Sequence, residues 1–115
     1  MIEIKKNIAF IIPALSGGGA ERVIATLSCN MYEENNIYII TYKDVENKYP
    51  HKGTVINIAS EESSNVLGKI INTFTRIYKI RRIKKKYRID KTISFMENPN
   101  IINIFSRYKD KIIIS

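Results

Sequence analysis

The sequence predicts an α/β fold, namely a Rossmann-like, doubly wound and mostly parallel sheet in a single domain. Short apolar runs of strand composition alternate with segments whose apolar residues recur every three or four positions. The 115 residues suit one hydrophobic core. A single cysteine permits no internal disulfide, and the longest apolar run is far shorter than the roughly 20 residues of a membrane span. Disulfide scaffolds and membrane-spanning proteins are therefore excluded.

The first half predicts a strand, a helix and two more strands. Residues 7–13 form a continuous apolar run that ends in proline, as in strands covered on both faces. From residue 19 to about 34 the apolar spacing is three and four, which predicts a helix. Residues 37–42 and 54–58 predict the second and third strands. The link between these two strands is either direct or a short irregular crossover.

The second half predicts a long helix, a strand, a short helix and a last strand, over residues 65–87, 91–95, 99–108 and 111–115. We expect Asn98 to be the N-cap of the short helix, with Pro99 at its first position. The order βαββαβαβ favours parallel strands joined by right-handed crossovers. Because the chain stops inside a core strand, we expect a domain truncated at its carboxyl end.

Residues 76–91 carry nine basic residues and one acid, so this segment accounts for the whole net charge of +8. The rest of the chain is neutral. Three interpretations of the segment are open. It is a solvated helix end, a contact for an anionic membrane or a lipid-linked pyrophosphate, or a nucleic-acid contact. Since no nucleic-acid reading motif accompanies it, we expect no nucleic acid. The predicted lipid-phosphate contacts are Arg81, Arg82, Lys84, Lys85, Lys86 and Arg88.

The long helix carries two apolar groups on different faces. The predicted core face consists of Leu67, Ile70, Ile71, Phe74, Ile77 and Tyr78. Nearly opposite to it lie Ile80, Ile83 and Tyr87. A straight helix would place Arg81, Lys85 and Arg88 where the core stripe should continue, and burying unpaired charges there is prohibitive. We therefore expect the helix to overwind, to break near residue 79, or to run past the sheet edge and expose the second group.

The glycines Gly17, Gly18 and Gly19 lie between the first strand and the first helix. Glycines there let the backbone approach a phosphate, and the amides of a helix start face it. The loop is therefore either an anion or sugar-phosphate site or simply a tight turn. A dinucleotide fingerprint is excluded because Arg22 occupies its third glycine position, and a P-loop is excluded because Ala20 and Glu21 replace its lysine and hydroxyl residues.

Residues 11–27, with the run Ser-Gly-Gly-Gly-Ala-Glu-Arg, resemble the amino-terminal signature of the GT4-type retaining glycosyltransferases of the GT-B fold. Residues 86–95 resemble the second landmark of these enzymes, a basic helix end followed by Asp and a strand. Residues 93–101 are similar to members that extend polysaccharides or lipid-linked oligosaccharides, and residues 112–115 match the strand that follows. The resemblance covers essentially the whole chain.

The resemblance implies the amino-terminal, acceptor-side domain of a bacterial two-domain enzyme whose donor-binding domain is absent from residues 1–115. The whole enzyme would transfer a sugar from a nucleotide-sugar donor to a glycan or lipid-linked acceptor and retain the anomeric configuration. The isolated chain is expected to be inactive. No cofactor or metal is expected, because the nucleotide-sugar is a substrate. The expected location is the cytoplasm, with peripheral binding to the inner face of the cell membrane.

Carried over from the family by position, Gly17, Gly18 and Gly19 would face the donor diphosphate or the reacting sugar across the cleft, and Met96, Glu97 and Asn98 would line the same cleft. Many relatives have a histidine near the end of the fourth strand, and this chain has none there. No catalytic residue is assigned. The alternative function is a noncatalytic Rossmann-like module that binds anions or an anionic membrane through residues 76–91.

Overall fold

The computed structural model describes residues 5–115, which form five strands and three helices. In chain order these are β1 (Lys6–Ile12), α1 (Gly19–Met31), β2 (Asn35–Thr41), β3 (Thr54–Asn57), α2 (Val66–Lys86), β4 (Lys91–Ser94), α3 (Glu97–Phe105) and β5 (Lys111–Ile114). The predicted order of elements is confirmed, with small shifts at their ends. The predicted α/β class, a Rossmann-like parallel sheet, is also confirmed.

The five strands form one parallel sheet in the order β3-β2-β1-β4-β5. Ile8 of β1 pairs with Ile37 of β2, and on the other side Ile11 pairs with Ser94 of β4. β2 and β3 are parallel neighbours, so the link over residues 42–53 is an irregular crossover. The strand order reverses between β1 and β4. Ligands of open α/β sheets bind beside such a reversal, at the carboxyl ends of the strands.

Helices cover both faces of the sheet because the strands are apolar on both sides. On one face α1 packs its Ile24 and Ala25 against Phe10 of β1 and Ile39 of β2. On the other face Ile80 of α2 and Ile102 of α3 pack against a second cluster, which includes Ala9, Ile11, Ile40, Tyr42, Ile58 and Ile89. The chain therefore forms three layers, with β1 and β2 at the centre of both cores.

The prediction of which face of α2 packs in the core is wrong. Its apolar side chains are mostly exposed, with Leu67 at 69% and Phe74 at 68%, whereas Ile80 is fully buried. The helix is continuous from Val66 to Lys86, so it does not break near residue 79. At 21 residues it is about 30 Å long, whereas the four residues of β4 span about 13 Å. Its amino-terminal half therefore extends past the sheet, and only its carboxyl-terminal half joins the core. The expected exposure of Ile80, Ile83 and Tyr87 is wrong, because these side chains pack in the second cluster.

Candidate functional site

A cleft of about 420 Å³ opens at the carboxyl edge of the sheet. The ends of β1 and β2, the start of α3 and the projecting half of α2 contribute to it. Its lining residues are Pro13, Tyr42, Glu62, Ser63, Lys69, Asn72, Arg76 and Asn98. This is the edge where open α/β sheets bind ligands, and the volume lies within the range of small-molecule pockets. The cleft is therefore the candidate site.

The glycine loop lies at the same edge of the sheet. Gly17 has a φ of +104°, a backbone angle that residues with a side chain rarely adopt. Gly18 directly precedes the start of α1 at Gly19. The amide groups of these three glycines donate to no atom of residues 5–115. The Glu21 side chain packs against Gly18. The glycines do not line the 420 Å³ cleft, so their place at a donor diphosphate stays a prediction.

The segment after β4 is strained where it turns into α3. Met96 precedes the helix with φ +77° and ψ 154°, a region that costs a non-glycine residue about 1–3 kcal/mol. α3 begins at Glu97, so the prediction of Asn98 as N-cap is wrong, and Pro99 lies inside the first turn. Met96 and Glu97 are exposed and do not line the cleft, whereas Asn98 does. Of the three predicted residues, the structure thus brings only Asn98 into this cleft.

Asn98 contacts two residues that the sequence did not single out for this cleft. Its Oδ1 accepts a hydrogen bond of 2.7 Å from the Tyr42 hydroxyl and one of 3.3 Å from Nη1 of Arg76. The Arg76 guanidinium lies over the Tyr42 ring, 4.3 Å from its centroid. Burial raises the pKa of Tyr42 above its usual range, and Arg76 opposes this only in part. Tyr42 therefore remains a protonated donor at neutral pH.

A sequence pattern indicates Tyr42 as a cleft residue, but none indicates Arg76. Tyr42 directly follows β2, and strand ends at the carboxyl edge are where ligand contacts gather. Arg76 belongs to the basic segment 76–91, and its sequence position does not distinguish it from the other cations there. Only the packing of α2 across the sheet edge separates Arg76 from the exposed cations of the same helix.

The predicted lipid-phosphate contacts are corrected at Lys84. Its side chain is fully buried, and its Nζ lies 2.9 Å from Oδ2 of Asp110. The same ammonium donates to the carbonyl and side-chain oxygens of Asn103, at 3.1 and 2.9 Å. A side chain held in this way is not available to a lipid, because it points into the core between α2, α3 and β5.

The other predicted contacts are exposed, namely Arg81, Arg82, Lys85, Lys86 and Arg88. At about 100° per residue, Arg81 and Lys85 fall on the same side of α2 as Leu67 and Phe74. This outer face of α2 is thus apolar in its first half and cationic in its second half. Cζ of Arg81 and Nζ of Lys85 lie 5.4 and 5.9 Å from the centroid of the Tyr108 ring, so this ring helps to hold both side chains in place.

Two further observations concern residues 5–115 alone. Within this range, His, Cys, Asp and Glu side chains form no group of three that could hold a metal ion. None of the helices described there is long and apolar enough to cross a membrane.

The single histidine, His51, bonds through Nδ1 to the Tyr49 carbonyl at 2.8 Å, in the crossover between β2 and β3. It therefore lies in a different segment from the end of β4.

No family model matches the sequence. The chain is 31% identical over 113 residues to a protein of Campylobacter jejuni subsp. jejuni named GalNAc-alpha-(1->4)-GalNAc-alpha-(1->3)-diNAcBac-PP-undecaprenol alpha-1,4-N-acetyl-D-galactosaminyltransferase. The match takes in 95% of this chain and 32% of that protein, so the chain spans about a third of the length of the curated relative that it matches. The chain thus has a Rossmann-like sheet and is similar in sequence to about a third of a glycosyltransferase.

Proposed function

We propose that the chain is the acceptor-side domain of a GT4-type, retaining glycosyltransferase of the GT-B fold. The whole enzyme transfers a sugar from a nucleotide-sugar donor to a glycan or lipid-linked acceptor. The observation that carries the proposal is the 31% identity, over 95% of the chain, to a transferase whose named substrate is linked to PP-undecaprenol. The cleft at the strand-order reversal supports it, because this is where an α/β domain presents a ligand.

In this proposal the two predicted groups of residues act at one edge of the sheet. The free amides of Gly17, Gly18 and Gly19 offset negative charge on the donor diphosphate as it leaves. Asn98, with Met96 and Glu97 on the same turn, faces the acceptor. The domain supplies binding and orientation, with no metal or cofactor, and no catalytic residue is assigned to it.

The outer face of α2 is the proposed contact with lipid phosphate at the inner face of the cell membrane. Apolar side chains at Leu67, Ile71 and Phe74 are more than half exposed. Each exposed cation near an anionic surface contributes about 1 kcal/mol, and an apolar strip adds insertion. A helix with both features along one face is suited to lie in a membrane interface, which supports the proposal of peripheral binding.

Sugar transfer tests the enzymatic proposal. The genomic sequence downstream of Ser115 is read first, because a second α/β half with a Glu-x7-Glu motif is expected there. The 115-residue chain and the longer product are then assayed with UDP- and GDP-sugars and an undecaprenyl-diphosphate-linked acceptor. We expect transfer by the longer product only, with the anomer retained in the product's NMR spectrum. Turnover by the short chain, or an inverted anomer, contradicts the two-domain or the retaining assignment.

Cosedimentation with liposomes tests the membrane contact. One variant changes Arg81, Arg82 and Lys85 to Gln, and its matched control changes the exposed Lys6, Lys52 and Lys111 to Gln, so that both lose three charges. We expect the first variant to lose binding to anionic vesicles and the control to keep most of it. Equal binding by the two variants contradicts a specific role for α2.

The alternative function is a noncatalytic module that binds anions or a membrane through residues 76–91. The exposed cations of α2 favour it as much as they favour the enzyme. A natural stop directly after Ser115, together with vesicle binding by the short chain, would support the module.

A further inference from the structure

The carboxamide of Asn98 has a fixed orientation. One of its two terminal atoms lies 3.3 Å from Nη1 of Arg76, and a guanidinium only donates hydrogen bonds. The atom facing Arg76 is therefore the oxygen Oδ1, which also accepts from the Tyr42 hydroxyl. The amide nitrogen Nδ2 then lies on the other side. This nitrogen donates to no atom of residues 5–115. Asn98 is exposed and lines the cleft.

Arg76 is itself held in place by three further contacts. Its Nε donates to Oγ of Ser60 at 2.6 Å, its Nη2 donates to the Glu61 carbonyl at 3.4 Å, and its plane lies over the Tyr42 ring. A planar guanidinium with several donors makes these contacts at once, whereas the ammonium of lysine cannot. The residue thus links the β3–α2 connection, the end of β2 and the start of α3.

We infer that Arg76 is a positioning residue, which sets the Asn98 carboxamide as a hydrogen-bond donor to an oxygen of a sugar bound in the cleft. The inference rests on the proposed function, because that function places an acceptor glycan here. The cleft volume of about 420 Å³ accommodates a monosaccharide. Donors at Asn98 and Lys69 and acceptors at Glu62 and Asn72 line it, a mixture that suits hydroxyl groups, which both donate and accept.

NMR titration of the 115-residue chain with methyl N-acetyl-α-D-galactosaminide tests this inference. In the wild-type protein we expect the side-chain NH₂ signals of Asn98 to shift as the sugar binds. The variants R76K, R76Q and N98D should each weaken binding about 5- to 10-fold, which corresponds to the loss of one hydrogen bond. R81K, on the exposed side of the same helix, is the matched control and should bind like the wild type.

A second measurement separates positioning from a merely structural role. In R76K without sugar, the Asn98 NH₂ signals should move while the backbone spectrum and the melting temperature stay close to those of the wild type. If R76K binds the sugar like the wild type, or if the sugar leaves the Asn98 signals unmoved at about 50 mM, the inference is overturned. A shift produced by inorganic pyrophosphate and not by the sugar also overturns it. None of these results touches the transfer assay, which tests the proposed function separately.

Discussion

The ammonium group of Lys84 lies 2.9 Å from the carboxylate of Asp110, and neither side chain is exposed to solvent. Thr92 and the amide of Tyr108 also donate to this carboxylate, each at 2.7 Å. The ion pair thus joins the carboxyl-terminal half of α2 to β4 and to the turn before β5. A buried pair of this kind is costly to break, since removal of one partner leaves an uncompensated charge in the core.

Replacing either partner of this pair alone should lower the free energy of unfolding strongly. We expect Asp110→Asn and Lys84→Met each to cost about 3–5 kcal/mol, and the double variant to cost much less than the sum. Urea denaturation of the four proteins measures the coupling. Additive effects would show that the two groups do not interact energetically. The ion pair of Lys48 with the exposed Asp44, at 2.7 Å, is the matched control and should show much weaker coupling.

Acid should destabilise the protein through the same carboxylate. Burial alone would raise the pKa of Asp110, but the hydrogen bonds from Thr92, the Tyr108 amide and Lys84 together hold it below its usual value. The unfolded chain therefore binds this proton more tightly than the folded one. The stabilisation is complete above the unfolded pKa of about 3.9 and is lost as the pH falls through the folded pKa. Urea midpoints between pH 7 and 2 measure it, and a wild-type slope that persists in Asp110→Asn contradicts the assignment.

The orientation of α2 predicts opposite results for two groups of apolar side chains. Leu67→Ser and Phe74→Ser should change the free energy of unfolding by less than about 0.5 kcal/mol, because these residues are mostly exposed. Ile80→Ala should cost about 2–5 kcal/mol, because that side chain is fully buried. Chemical denaturation of the three variants compares them. A large loss at Leu67 with a small one at Ile80 would show that α2 packs through its other face.

Two glycines of the loop should respond differently to alanine. Gly17→Ala should destabilise the protein by about 1–3 kcal/mol, because its φ of +104° is strained for any side chain. Gly19→Ala should be neutral or stabilise by up to about 1 kcal/mol, since a Cβ there contacts nothing and the residue is helical. Thermal melting of both variants measures the difference. Equal effects would contradict the backbone geometry of this turn.

The hydroxyl of Thr41 is buried and has no hydrogen-bond partner among residues 5–115. Such an unsatisfied group costs about 1–3 kcal/mol. Thr41→Val keeps the shape and the strand preference and removes the hydroxyl, so it should raise the free energy of unfolding by about 1 kcal/mol. Thr54→Val, at an exposed position of β3, is the control and should have little effect. A loss of stability in Thr41→Val would indicate that the hydroxyl has a partner.

The sequence alone determined the order of elements, the mostly parallel character of the sheet and the glycine turn at the end of β1, but it left the link between β2 and β3 open. These features depend on local patterns. A strand covered on both faces is apolar throughout, as in residues 7–13, and a helix shows the spacing of three and four. Three consecutive glycines after a strand predict a turn because glycine adopts positive φ without steric cost, and Gly17 has a φ of +104°. Such signals need no knowledge of what packs against them.

Only the tertiary structure decided which face of α2 is buried and what its cations do. The helix has two apolar groups, and its periodicity does not say which group lies over the sheet. Ile80 lies on the side of α2 that faces the sheet and is covered, whereas Leu67 and Phe74 lie on the outer side and are not. For the same reason Lys84 finds Asp110 in the core, Arg76 reaches Asn98 at the cleft, and Arg81 remains exposed. Three cations of one helix thus differ in role because side-chain environment depends on contacts between distant parts of the chain.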